Sequence, residues 1–160
     1  MTESSFLETT AEVSVAFAGF IGIFLVLATR DGRFRPGEGW SIRLIVICSV
    51  APVFYAALPL ILGSLGLTGE LLWRSSSIAI GLAGIAIAAY LVSPLRALPA
   101  GEGRHFNYGA LFGLLAIASC VANAVGWPWA PSGGLYLVTV WSVVAIAAGN
   151  FVELIFRKVL

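Results

Sequence analysis

The stretch 106–152, FNYGALFGLLAIASCVANAVGWPWAPSGGLYLVTVWSVVAIAAGNFV, contains no Asp, Glu, Lys or Arg. A helix crosses the hydrocarbon core of a bilayer with about 20 predominantly apolar residues, so this run is too long for one crossing and too short for three. Its break is GWPWAPSGG at 126–134, where Pro128 and Pro131 withhold backbone donors and Gly126, Gly133 and Gly134 permit a turn. The stretch therefore reads as a hairpin of two spans, 108–125 and 134–155.

Toward the N-terminus three further apolar runs of spanning length occur, at 10–29, 43–67 and 73–95. Together the five predict an all-α, multi-pass transmembrane helical bundle, with residues 1–160 forming a single domain. Composition points the same way, with 59% hydrophobic residues, 11% charged and a mean hydropathy of +0.98. A soluble domain carries about a quarter charged residues, so this chain lacks the polar surface to cover itself in water. That excludes a disulfide-stapled secreted scaffold, a disordered tail, a nucleic-acid binder and most soluble enzyme folds. Membrane lipids are the expected surroundings.

The few charges carry the topology. With five spans, the 30–43 loop, the 94–107 loop and the C-terminal tail share one side, and they hold eight of the nine basic residues: Arg30, Arg33, Arg35, Arg43, Arg96, Arg104, Arg157 and Lys158. Only Arg74 is left for the other side. Because cytoplasmic segments are enriched in Lys and Arg, the N-terminus is expected outside and the C-terminus in the cytoplasm. A four-span alternative, with the last hairpin re-entrant, would put Arg157 and Lys158 outside. Glu3, Glu8 and Glu12 precede or open the first span with no basic residue, the reverse of a secretory n-region, so that span is expected to be retained. Trp73, Trp127, Trp129 and Tyr136 are expected at the outer interface, and Phe34, Trp40, Phe106 and Tyr108 at the inner one.

Ionisable residues inside spans are costly and normally find partners or mark function. Glu12 and Arg74 both lie near the outer face, and Glu153 and Arg43 both near the inner face, so each set is depth-matched for an ion pair. Alternatively, Glu12 is a cation or proton site, and Asn150 with Glu153, three apart on one helix face, borders a permeation path. Asn123 and Asn150 otherwise serve as hydrogen-bonding links between helices.

Small residues recur at helical spacing: Ser14, Ala18 and Gly22; Ser77 and Gly81; Gly84 and Ala88; Gly109 and Gly113; Ala145 and Gly149. Such stripes let helix backbones approach closely in lipid, within one protomer or, for Gly109 and Gly113, against another copy. A homo-oligomer or a place in a larger membrane complex is expected. Pro52 and Pro59 in the second span leave the carbonyls of Cys48 and Tyr55 without their helical donors, producing a static bend or a hinge.

Catalytic chemistry finds no residue set. Cys48 and Cys120 sit in apolar runs, without a CxxC or Cys/His cluster. His105, the sole histidine, lies in a loop, away from any span where a haem would take its axial ligand. GEGR at 101–104 lacks the GK[ST] ending of a phosphate loop and reads as a flexible turn. No enzyme activity, cofactor, metal or nucleic acid is expected. The basic 30–43 loop is topogenic and meets anionic headgroups.

AEVSVAFAGFIG at 11–22, the Arg-rich turn with Trp40 and Arg43, the proline-bearing second span and LWR at 72–74 together resemble a loosely defined group of small bacterial integral membrane proteins. The resemblance covers the first half of the chain and implies a bacterial inner-membrane setting, with no activity attached. A glutamate in the first span is also similar to small multidrug-resistance transporters, but span count, the depth of Glu12 and the missing aromatic motif depart from that family. Two functions stay open: an oligomeric channel or transporter-like protein, with Pro52 and Pro59 on its moving helix, and a non-catalytic accessory subunit of a larger complex.

Overall fold

A computed structural model describes residues 3–29, 38–92 and 107–159. They form five helices: α1 (Glu3–Thr29), α2 (Glu38–Ser64), α3 (Gly69–Val92), α4 (Asn107–Val125) and α5 (Gly133–Val159), with no strand among the described residues. Four of them contain stretches long and apolar enough to cross a membrane: Ser5–Val26, Gly39–Ser64, Gly69–Leu91 and Gly133–Phe156. The apolar part of α4, Leu111–Val125, is shorter. All 19 residues of α4 rise about 28 Å at 1.5 Å each, close to the ~30 Å of hydrocarbon. Several helices outrun the expected spans, α1 by seven residues and α2 by five at their starts. Hydropathy locates the bilayer, whereas a helix continues until its backbone is capped or broken.

The helices run up and down in an antiparallel bundle. α2 is the hub, packed extensively on α1 and α5 and less on α3, while α4 joins α5 to α3. α2–α5 thus close a ring, and α1 lies outside it. Pro52 and Pro59 are both buried within a continuous α2. A core cluster drawn from all five helices, including Leu7, Tyr55, Trp73, Cys120 and Tyr136, occupies one half of the bundle. In the other half, Ile21, Ile45, Phe151 and Leu154 join α1, α2 and α5. Phe151 there receives the ring edges or faces of Phe17, Phe20 and Phe24 at centroid separations of 5.0–6.1 Å. Large apolar side chains such as Phe20, Phe54, Leu82, Leu114 and Val152 are exposed around the outside, the surface that a lipid solvent requires.

Several hydroxyls inside these helices are satisfied locally, while the buried Ser76 Oγ on α3 meets no partner among the described residues. Thr10 and Ser14 donate to the carbonyls one turn back, of Phe6 and Thr10, at 2.7 Å each, as Ser142 does to Val138. This is how polar side chains persist where water is absent. α4 ends at Gly126, whose φ of +76° is left-handed and whose N–H, with that of Trp127, bonds the Ala122 carbonyl. Ser132 caps α5, accepting from the Leu135 N–H at 3.4 Å. The expected interface aromatics divide. Trp127 and Trp129 are exposed, but Trp73 and Tyr136 are buried and pack on each other at 5.7 Å. Both belong to the all-helix core, because one helix face turns inward at any depth. Phe34 and Phe106 lie outside the described residues.

Candidate functional site

The two ends of the bundle differ in how α4 is held. At the end formed by the start of α3 and the end of α4, contacts are close and polar. Asn123 on α4 donates from Nδ2 to Ser77 Oγ at 2.8 Å and accepts at Oδ1 from the Ser132 N–H at 2.7 Å, joining α3, α4 and the following turn. Cys120 Sγ lies 3.0 Å from the Ser77 carbonyl, and a Cβ on Gly81 would stand only 3.1 Å from that sulfur. Ser119 and Thr139 share a 2.9 Å bond between α4 and α5. Arg74 donates from Nη2 to the Val125 carbonyl at 3.2 Å, where a helix C-terminus carries partial negative charge.

Toward the opposite end α4 leaves the core. The cluster of Leu44, Cys48, Leu91 and Ala147, with its surrounding apolar residues, draws on α1, α2, α3 and α5 but, among the described residues, on none of α4. The space between that cluster and α4 is a cavity of about 350 Å³, within the ~300–1,000 Å³ typical of small-molecule sites. Cys48, Tyr55, Gly84, Gly113, Thr139 and Asn150 are among its lining residues, and among the described residues no charged side chain is. It opens sideways between α3 and α4: Ile85, Ile117 and Val121 line it while remaining 68%, 62% and 54% exposed. Between α2 and α3 it is closed by Trp40, whose Nε1 donates to the Leu91 carbonyl at 2.8 Å.

The small-residue stripes make this volume. A Cβ on Gly84 or Gly113 would meet nothing within 4 Å, and one on Gly109 would meet only Asn150 Nδ2, at 3.7 Å. Within the protomer Gly109 and Gly113 form part of the cavity wall rather than a tight helix contact. Sequence spacing identified the stripe, but only the position of the opposing helices separates a tight contact from a void.

The other singled-out residues are dispersed. Glu12 is exposed on α1, and among the described residues no ion pair joins it to Arg74, whose guanidinium turns to α4. Arg43 is exposed on α2 and Glu153 half-buried on α5. Of the path candidates only Asn150 reaches the cavity. Cys48 and Cys120 are both free thiols on the cavity wall. Among the described residues no group of three His, Cys, Asp or Glu is placed to hold a metal; His105 and the 101–104 turn lie outside those residues. What the sequence did not disclose is Tyr136, whose hydroxyl donates at 2.6 Å to the Tyr55 carbonyl, one of the two freed by proline. A tyrosine five residues after Pro131 carries no local signal of that partner.

No family model, curated protein or solved structure matches the chain.

Proposed function

We propose that this is a small multi-pass protein of the bacterial inner membrane that acts as a transporter-like carrier of an uncharged substrate, with the α2–α5 cavity as its chamber. The supporting observation is a cavity that no charged side chain lines among the described residues and that opens sideways between α3 and α4 rather than at an end of the bundle. An ion path would need its charges to converge, whereas Glu12 and Arg43 are exposed on α1 and α2 and Arg74 bonds the end of α4. The asymmetry of Lys and Arg supports a cytoplasmic C-terminus, which sets the chamber in the cytoplasmic half of the bilayer.

The test is transbilayer exchange in reconstituted vesicles. A fluorescent, dithionite-quenchable long-chain isoprenoid alcohol should cross at least about tenfold faster than in protein-free vesicles, without accompanying proton or potassium flux. Exchange no faster than in empty vesicles, or an ion current in its place, overturns the proposal.

A further inference from the structure

The chamber's dimensions and its polar points specify more than an uncharged substrate. Four observations bear on the ligand. The way in is lateral, so the ligand comes from the lipid phase. The volume of about 350 Å³ corresponds to roughly a dozen methylenes, if each takes about the 30 Å³ of a water molecule in the liquid, the order of one hydrocarbon chain. From Thr139 to Asn150, which both line the cavity, α5 rises about 16 Å, the length of such a chain laid along it.

The fourth observation is the state of the polar groups in the wall. Most are already engaged: Thr139 with Ser119 and the Leu135 carbonyl, Cys120 with the Ser77 carbonyl, Trp40 with the Leu91 carbonyl. Two are different: the Tyr55 hydroxyl, which meets no partner among the described residues, and the Asn150 amide at the other end. The Asn150 Nδ2 donates at 2.8 Å to the Ile146 carbonyl of its own helix, and no described residue donates to its Oδ1. A side-chain amide offers two donors and two acceptor positions, so this half-buried group has hydrogen-bonding capacity left for a ligand. Asn150 stands at the end of the cavity where α4 begins, beside Gly109, which is the end nearer the headgroups.

We infer that the cavity binds one hydrocarbon chain ending in a neutral hydrogen-bonding group, such as a hydroxyl, drawn sideways from the bilayer between α3 and α4 with that group on Asn150. The inference rests on the carrier proposal for the cavity's role as a chamber and adds the ligand class. A carboxylate or phosphate terminus finds no cation in the described wall and would have to be desolvated beside an amide alone. A plain alkane leaves that capacity of Asn150 unused. Gly84 and Gly113 are the two positions where no side chain intrudes on the ligand's course.

The experiment uses the full chain in phosphatidylcholine nanodiscs and three photoreactive diazirine probes of equal chain length: a hexadecanol, a hexadecanoate held ionised at alkaline pH, and a hexadecane. Adducts are counted by intact mass and located by peptide mass spectrometry. The alcohol should label the inward faces of α3 and α4 saturably, and the carboxylate about tenfold less. Gly84→Leu and Gly113→Leu, on opposite walls, should each lower alcohol labelling about tenfold; two positions are used so that a fold defect in one, seen by gel filtration and circular dichroism, leaves the other to decide. Asn150→Leu should bring the alcohol down to the level of the alkane, a drop of about five- to tenfold for one lost hydrogen bond. Equal labelling by carboxylate and alcohol, labelling confined to outward residues such as Phe54 and Leu82, or an alcohol preference that survives Asn150→Leu overturns the inference. If labelling follows the expected pattern while vesicle exchange is absent, the ligand class stands and the carrier proposal falls. If exchange accepts ionised and neutral chains alike, the carrier stands and the ligand class falls.

Discussion

The Tyr136 hydroxyl on α5 donates a 2.6 Å hydrogen bond to the Tyr55 carbonyl on α2, the carbonyl from which Pro59, four residues on, withholds a helical N–H. The bond converts a defect of one helix into a joint between two. Tyr136 is fully buried, and with Trp73 packed against its ring its orientation is set from both sides. Removing the hydroxyl by Tyr136→Phe should cost roughly 1–2 kcal/mol, since it leaves a buried acceptor unpaired in a medium without water. Pro59→Ala restores an N–H to that carbonyl, so Tyr136→Phe should cost less than half as much in that background. A double-mutant cycle measured by denaturant unfolding in micelles checks this; equal costs in both backgrounds would show that the bond and the proline are independent.

The buried Asn123 and the half-buried Asn150 should separate sharply. Asn123→Ala loses bonds to Ser77 and to the Ser132 N–H and should destabilise by about 1–2 kcal/mol. Asn150→Ala gives up only a bond within its own helix and should stay within about 0.5 kcal/mol of the parent. Thermal unfolding in one detergent suffices for the comparison.

Gly126 holds a left-handed φ of +76°, and a Cβ there would stand 3.0 Å from Arg74 Nη2. Gly126→Ala should lower stability by about 1–2 kcal/mol through backbone strain alone. The displaced Arg74 would also lose its bond to the Val125 carbonyl, so Gly126→Ala and Arg74→Gln together should cost less than the sum of the two singly, as read by unfolding midpoints.

α1 is fastened at one end by Phe151, on which Phe17, Phe20 and Phe24 converge. With ~0.5–1.5 kcal/mol for each aromatic pair, Phe151→Ala should cost roughly 2–3 kcal/mol. The loss should be local: amide exchange should quicken in α1, while α3 and α4 keep their protection. Equal acceleration in all helices would show that α1 is integral to the ring.

Topology is open to a direct check. A green fluorescent protein fused after Leu160 should fluoresce and an alkaline phosphatase fused there should be inactive, as expected for a cytoplasmic C-terminus. The opposite pair of results would reverse the orientation drawn from the eight basic residues on one side.

How far the sequence carried the structure differs by type of feature. The helices and the hairpin turn at 126–134 were legible, because absence of charge and the placing of Pro and Gly act locally on the chain. Depth, as read from hydropathy, is one coordinate of three. Glu12 and Arg74 were matched in depth, yet α1 packs outside the ring while Arg74 reaches the end of α4, and nothing in either helix encodes the order in which helices assemble. Gly109 and Gly113 illustrate the same limit: their spacing is evident, while what faces them depends on α2, α3 and α5. Asn123 was legible as an interhelical link, since an amide in lipid must find partners; which partners it finds was not.

The Trp40–Leu91 bond has a mechanical consequence. α3 is fixed near its start by Ser77, which bonds Asn123 and lies against Cys120, and its far end is tied to α2 by one indole N–H. The distance from Ser77 to Leu91 along the helix is about 21 Å, so a tilt of only about 5° about Ser77 would swing Leu91 by about 2 Å, enough to change the gap to α4 by the width of a methylene. A rigid helix pivoting at one end multiplies small rotations into large apertures, and Trp40 grips it where the leverage is greatest.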